Sequence, residues 1–408
     1  MTSRERVIAA LEFRRPDVLP KDLGGMRSSG ISAFGYQALR NALGLPWKPT
    51  RIHDNSQMLA LPHPDVLDAL GCDVVVVEGV GLTNAFEQPG LWHPYDFGGR
   101  IPDAMVRDAG GYSVDSAGTI RLAGVGEMPA GAYVFNPEHA GQALVLEGEL
   151  PRPDLRAHRA WLEKNLLTDA QIRELRDTCR RVRDSGDRAV FLWGRVDLGL
   201  CIHGFGGLAV YPLLCLEDPD FVHEVHSLQL EYSLRNIRAL LPEIRDTVDI
   251  VGTDGDDWGN QQSLMASPAT FRDLFLPYRL RHNAEIHRIA PRMKTFLHSC
   301  GAIHDLIDMI VETGTDILNP VQWPAGGRPP AAWKEKVRGR MSLWGGGVDS
   351  QHTLPLGSVR EVEDEVARTV PVLADGSGYV FCSIHNLLAE VTPEKVIALY
   401  RAAAACRI

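Results

Sequence analysis

The hydrophobic positions of this chain change period several times, and the order of those changes predicts its architecture. Arg4 to Phe13 spaces its apolar residues along one helical face, and Thr2-Ser-Arg-Glu5 in front of it has the form of a capping box. Val74 to Val77 is instead a continuous β-branched run, the pattern of a parallel strand buried on both faces. From Thr168 the two periods alternate regularly. Short apolar runs at Ala189–Trp193, Asp249–Val251, Met293–Leu297, Asp316–Asn319, Met341–Trp344 and Gly378–Phe381 each end in a Gly-rich or polar loop. Between them lie amphipathic stretches such as Asp169–Asp184, Pro219–Leu241 and Thr392–Ala405. Adding Asp22–Gly25 and Val74–Val77 makes eight strand candidates.

Eight βα units predict an α/β fold of the TIM type, a (β/α)8 barrel. A doubly wound open sheet is the alternative, but no GxGxxG turn follows a first strand. Residues 1–408 are therefore read as one barrel domain. Residues 84–168 depart from the rhythm, being rich in Gly, Pro and aromatics, and Gly111–Leu122 alternates around a turn as a β-hairpin does. This region is expected to be an insertion or lid, because it has too little periodic apolar sequence to bury a core of its own.

Composition narrows the function classes. A formal net charge of -10 argues against nucleic acid or an anionic membrane as the main partner. No apolar run reaches membrane-spanning length and no signal-peptide pattern opens the chain, so a cytoplasmic location is expected. Seven scattered cysteines without a CxxC pair read as free thiols.

The candidate chemistry gathers at strand ends. The run Phe296-Leu-His298-Ser-Cys300-Gly301 stops a strand at a His-x-Cys pair, and an amphipathic segment with Ile303, Leu306, Ile307 and Ile310 follows. In an extended chain the two side chains leave on one face. Two ligands do not hold a zinc, but Cys382 also sits just past a strand, and strand ends remote in sequence face one another across a barrel mouth. His298, Cys300 and Cys382 thus either converge as a His-Cys-Cys set with an open fourth position, or are two unrelated buried cysteines and a solvent-facing histidine. Asp254, Asp256 and Asp257 crowd another strand end, where they serve as helix caps or, for Asp257, as a proton donor or fourth ligand. Glu78 is a second candidate for that fourth position. Arg27, His203, Trp258 and Gln322 lie past strand ends as candidate substrate contacts, with a surface salt bridge or core packing as their alternatives. His304, His352 and the Arg/His cluster at 279–288 read as a solvated helix face.

Several of these blocks resemble the uroporphyrinogen decarboxylase superfamily. They are Ser3-Arg-Glu-Arg-Val-Ile-Ala-Ala-Leu11 with Pro16-Asp17, His298-x-Cys300-Gly with Gly314-x-Asp316, and His385 with Thr392-Pro-Glu-Lys-Val396. The resemblance implies a (β/α)8 barrel. Through His-x-Cys…Cys it is closest to the zinc-dependent methyltransferase branch, which exchanges methyl groups with corrinoid proteins or thiols. It implies Zn2+ on His298, Cys300 and Cys382, and a corrinoid (cobalamin) supplied by a partner protein or free, since no Asp-x-His-x-x-Gly corrinoid-binding pattern is present. The partners implied are a small-molecule methyl donor such as an aryl methyl ether, a corrinoid protein and, as an option, a second copy of the chain in a homodimer. Asp73 and His385 fall near the decarboxylases' catalytic Asp and C-terminal His. Met26-Arg27-Ser-Ser-Gly-Ile31, however, keeps only the first arginine of the decarboxylases' Arg-x-x-x-Arg clamp. The methyltransferase reading leads. A decarboxylase of a smaller acid, or a non-catalytic corrinoid or tetrapyrrole carrier, are the alternatives.

Overall fold

The computed structural model describes residues 1–78, 92–107, 109–123, 125–136, 150–200 and 210–408. Its centre is a parallel sheet of seven strands, in the order Val74–Glu78, Ala189–Trp193, Ile250–Gly255, Lys294–His298, Ile317–Asn319, Ser342–Trp344 and Tyr379–Val380. Each neighbour in space is also the next βα unit in sequence, which is the topology of a TIM-type barrel. The two edge strands do not stay open. Asp22 N–H donates to Phe381 O at 2.8 Å, Phe381 N–H donates to Pro20 O at 2.9 Å, and Asp73 N–H donates to Lys21 O at 2.7 Å. Residues 20–22 therefore act as a minimal eighth strand that closes the ring.

That closing segment lies earlier than the strand expected at Asp22–Gly25. Asp22 folds its own chain into a turn, its carboxylate accepting Gly25 N–H at 2.7 Å and the Ser29 hydroxyl at 2.7 Å. A local side-chain bond has outcompeted the sheet ladder.

Alternate residues of the strands point inward and fill the ring. Val74, Ala189, Ile250, Ile317 and Val380 meet Val7 and Leu11 of the helix Ser3–Leu11, which plugs the N-terminal end of the barrel. Thr2 and Glu5 form the expected capping box on that helix. Its Arg4 pairs with Asp249 at 2.8 Å, and Arg6 pairs with Asp73, tying the plug to the starts of two strands. Above this layer Phe296 meets Phe191 in a tilted pair and Trp344 edge to face, with ring centroids 4.8 Å and 5.6 Å apart. The interior is packed up to this aromatic layer, so chemistry is confined to the C-terminal mouth.

The non-barrel region is more interwoven than an insertion confined to 84–168. The expected hairpin forms, as Tyr112–Val114 paired with Ile120–Leu122, and Gly126–Met128 adds a third strand. His93–Pro94 and Ala104–Val106, however, join a sheet with Thr50–Asp54, Leu59–Ala60 and Ile31–Ser32. A segment poor in apolar periodicity has borrowed its core from the chain before it, with Phe97 and Tyr112 buried together. Ser32 N–H donates to Leu387 O at 2.8 Å, which sets this second sheet beside the loop that leaves the last barrel strand.

Candidate metal centre

His298 is the last residue of its strand, in register with Gly255 on one side and Asn319 on the other. The chain beyond it stays held. Asp256 N–H donates to His298 O at 2.9 Å and Gly259 N–H to Cys300 O at 3.2 Å, so the loop after Gly255 runs alongside the His-x-Cys segment. The chain then turns sharply at Gly301, whose φ is +90° and where a Cβ would stand 2.1 Å from Gly259 O. Only glycine fits that crossing. Gln322 fastens the turn from the other side, its Oε1 accepting Gly301 N–H at 2.7 Å.

Cys300 Sγ comes to rest 3.3 Å from His298 Nε2. The opposite ring nitrogen, Nδ1, lies 2.7 Å from Asn319 Oδ1 and 3.2 Å from Ser28 Oγ. His385 closes the group from the loop after the last strand, its ring centroid 6.1 Å from that of His298. The donor atoms of His298, Cys300 and His385 all lie within 4.8 Å of one another, the one such group of three or more His, Cys, Asp or Glu among the described residues. Two imidazoles and a thiol around one point form a donor set that suits zinc and other borderline-soft divalent ions.

The electrostatics agree with that use. Burial, with the nearby His298, holds the His385 imidazole down to about 4, so it is neutral and keeps a lone pair at physiological pH. Burial pushes the Cys300 thiol well up, and the Asp257 carboxylate beside it adds to the effect. A buried thiol of this kind loses its proton to a metal rather than to water. Asp257 lies 3.6 Å from His298 Nε2 and accepts the Cys300 backbone N–H at 2.9 Å, so it borders both ligands.

Other expected site residues fall elsewhere. Cys382, expected as the third ligand, is 0 % exposed and packs with Met26 and Trp344 in the barrel interior. It shares the inward parity of Val380, near the Asn319 amide, while the loop carries His385 over the top to join His298 and Cys300. Asp73 stands at the opposite end of the barrel, because it precedes its strand. There it binds Arg6 and accepts Lys21 N–H at 2.9 Å. Trp258 is 2 % exposed and stacks edge-on against Phe275 with centroids 4.0 Å apart, so it is a core residue and not a substrate wall. Gln322 is a clamp on the Cys300 turn. Arg27 is at the mouth but pairs with Asp54 at 3.3 Å. Of the three crowded carboxylates, Asp254 and Asp256 are buried on Arg279 at 3.2 Å and 2.8 Å, and Asp257 alone faces the mouth. The same pairing corrects the reading of 279–288 as a solvated face, since Arg279 and His282 are buried. His203 lies outside the described residues, and Glu78 ends the strand Val74–Glu78 at the mouth rim.

Sequence reasoning missed Asn319 and Ser28, the polar residues behind His298. A signal existed for Asn319, a polar residue ending an otherwise apolar strand in register with His298. A cavity of about 720 Å³ opens on the outer side of the Cys300 turn, bordered by Leu213, Leu216, Met265, Ala302 and Arg328.

Comparison with known proteins places the second half of the chain. Residues 208–406 match the family model of uroporphyrinogen decarboxylase (URO-D). No curated protein matches the chain. Among solved structures, a methyltransferase from Methanosarcina mazei is 16% identical, with a TM-score of 0.56 over 99% of this chain and 98% of that one. Xylanase B from Clostridium stercorarium F9 is 12% identical, with a TM-score of 0.33 over 56% of this chain and 83% of that one. The first of these shows a shared fold across the whole chain.

Proposed function

We propose, from the match of residues 208–406 to the uroporphyrinogen decarboxylase family model, that this protein is a zinc-dependent methyltransferase. Its methyl donor would be a small molecule such as an aryl methyl ether, and its acceptor a corrinoid carried by a separate protein or free. The observation that carries the reading is the convergence of His298, Cys300 and His385 within 4.8 Å at the barrel mouth. The methyltransferase of Methanosarcina mazei, built on the same fold, adds support.

The chemistry is the transfer of a methyl group from oxygen. Such a transfer would leave the carbon–oxygen electron pair on oxygen, with the pair for the new bond coming from a reduced corrinoid acting as methyl acceptor. A zinc ion bound here supplies Lewis acidity toward that oxygen. His298 and His385 would present ring nitrogens to it, and Cys300 its sulfur. The Asp257 carboxylate is placed to take the proton that leaves Cys300 Sγ when the thiol becomes a ligand. Asp257 is half-exposed, so it also offers a carboxylate to a substrate entering the mouth. Arg27, on the turn that also carries Ser28, would offer a cation to an acidic donor, at the expense of its pair with Asp54.

The decarboxylase alternative loses its acid at the mouth, because Asp73 lies at the other end of the barrel. Metal analysis tests the methyltransferase reading, on wild type and on His298→Ala, Cys300→Ser, His385→Ala and Cys382→Ser. About one zinc per chain is expected, lost in the first two variants. Loss in His385→Ala with retention in Cys382→Ser fits the geometry described, and the opposite pair of results assigns the third place to Cys382. Wild type without zinc overturns the reading. Screening methyl ethers against reduced cobalamin then separates an enzyme from a carrier, which binds corrinoid and turns nothing over.

A further inference from the structure

We propose that Asn319 is a positioning residue that fixes the tautomer of His298, and that Ser28 makes the turn Arg27–Ser29 part of the same centre. The inference rests on the metal reading above and adds the groups that hold the donor set ready. Asn319 ends its strand at the mouth and is fully buried. Its Nδ2 donates to Trp344 O at 2.9 Å, and this bond decides which way the amide faces. Oδ1 is therefore turned toward His298, where it accepts from Nδ1 at 2.7 Å. A neutral imidazole carries one N–H. With that proton held on Nδ1, the lone pair is on Nε2, the atom beside Cys300 Sγ.

Ser28 completes the arrangement. Its hydroxyl lies 2.8 Å from the same Asn319 Oδ1, 3.2 Å from His298 Nδ1 and 2.6 Å from Met26 Sδ, so its one proton has both Asn319 and Met26 as acceptors. The chain from Trp344 through Asn319 to His298 links three adjacent strands, so the ring orientation is set by the rigid barrel and not by a loop. Hydrogen-bond partners of this kind behind a metal-bound histidine are worth about 10–100-fold in metal affinity.

The test compares two isosteric variants and one truncation, with two readouts. Zinc affinity is measured by competition with a chromogenic chelator. The tautomer is read from the nitrogen-15 shifts of the histidine rings in metal-free protein. Asn319→Leu removes the acceptor, and a loss of about 10–100-fold in zinc affinity is expected, together with loss of the Nδ1–H tautomer. Asn319→Asp keeps an acceptor and should retain both, at lower thermal stability because a carboxylate then faces the Trp344 carbonyl. Ser28→Ala should cost less than about tenfold. A folded Asn319→Leu protein with wild-type zinc affinity and an unchanged tautomer overturns the proposal. If that variant does not fold, Ser28→Ala decides, and no change in either readout overturns it. Failure of the wild type to bind zinc sinks the metal reading alone, because the tautomer in metal-free protein still reports on Asn319.

Discussion

The carboxylate of Asp257 accepts the backbone N–H of Cys300 at 2.9 Å and presses the thiol of the same residue toward its protonated form. One side chain thus both shapes the Cys300 turn and adds to burial, the larger cause, in holding its sulfur protonated. Asp257→Asn keeps an oxygen for the N–H and removes the charge. The thiol should then ionise at lower pH, by roughly tenfold in thiolate for each unit of pKa. Alkylation of Cys300 by iodoacetamide in metal-free protein at pH 8, followed by peptide mass spectrometry, should be several-fold faster in the variant. An unchanged or slower rate would remove Asp257 from the control of Cys300.

Arg279 pairs with both Asp254 and Asp256 from the far side of the loop, all three are almost wholly out of water, and burial pushes the Asp254 carboxyl well above its ordinary value. Arg279→Met leaves a buried acidic pair without its cation, a defect that costs about 3–5 kcal/mol. Urea denaturation monitored by tryptophan fluorescence should show a loss of that size. A change below about 1 kcal/mol would mean that water reaches the pair, since exposed ion pairs contribute only that much.

Stability should depend on pH through Asp22. Burial, partly offset by the Ser29 hydroxyl, the Trp344 indole and the Gly25 amide, raises its carboxyl from the ordinary 3.8 to about 6. The folded state therefore holds this proton more tightly than the unfolded one. The stability it contributes is complete below the unfolded value near 3.8 and is lost as pH rises through about 6. The full span is on the order of 3 kcal/mol. Asp22→Asn should flatten the stability profile between pH 4 and 7, and identical slopes in wild type and variant would contradict the assignment.

Gly301 and Gly259 cross with no room between them. A Cβ on Gly301 would stand 2.1 Å from Gly259 O, and one on Gly259 would stand 2.5 Å from Ala302 N. Gly301→Ala adds an unfavourable positive φ, worth about 1–3 kcal/mol, to that overlap. Both alanine variants should release the Cys300 turn, with lower melting temperature and weakened zinc binding. Normal zinc affinity in Gly301→Ala would show that the turn is not what places Cys300.

Much of this was legible in the sequence for a physical reason. Strands buried on both faces must be continuous apolar runs, so the strand positions and the His298–Cys300 end could be read directly. What could not be read was reach. Cys382 and His385 both follow the last strand, but inward parity takes Cys382 into the core while the loop carries His385 to the mouth. Arg279 meets Asp254 and Asp256 from a helix that no local pattern links to them. The position of Asp73 was available all along, because a residue that precedes its strand cannot sit at the strand's C-terminal end.

The ring closes where residues 20–22 pair with Phe381 on one side and Asp73 on the other. During synthesis the seam must wait for a partner more than 350 residues later. Until then the first and last strands expose bare backbone edges able to pair with another molecule. Folding here is a late, long-range event of high contact order. The nascent protein's hazard is therefore self-association along that seam, and a chain cut anywhere before Phe381 would keep the hazard permanently.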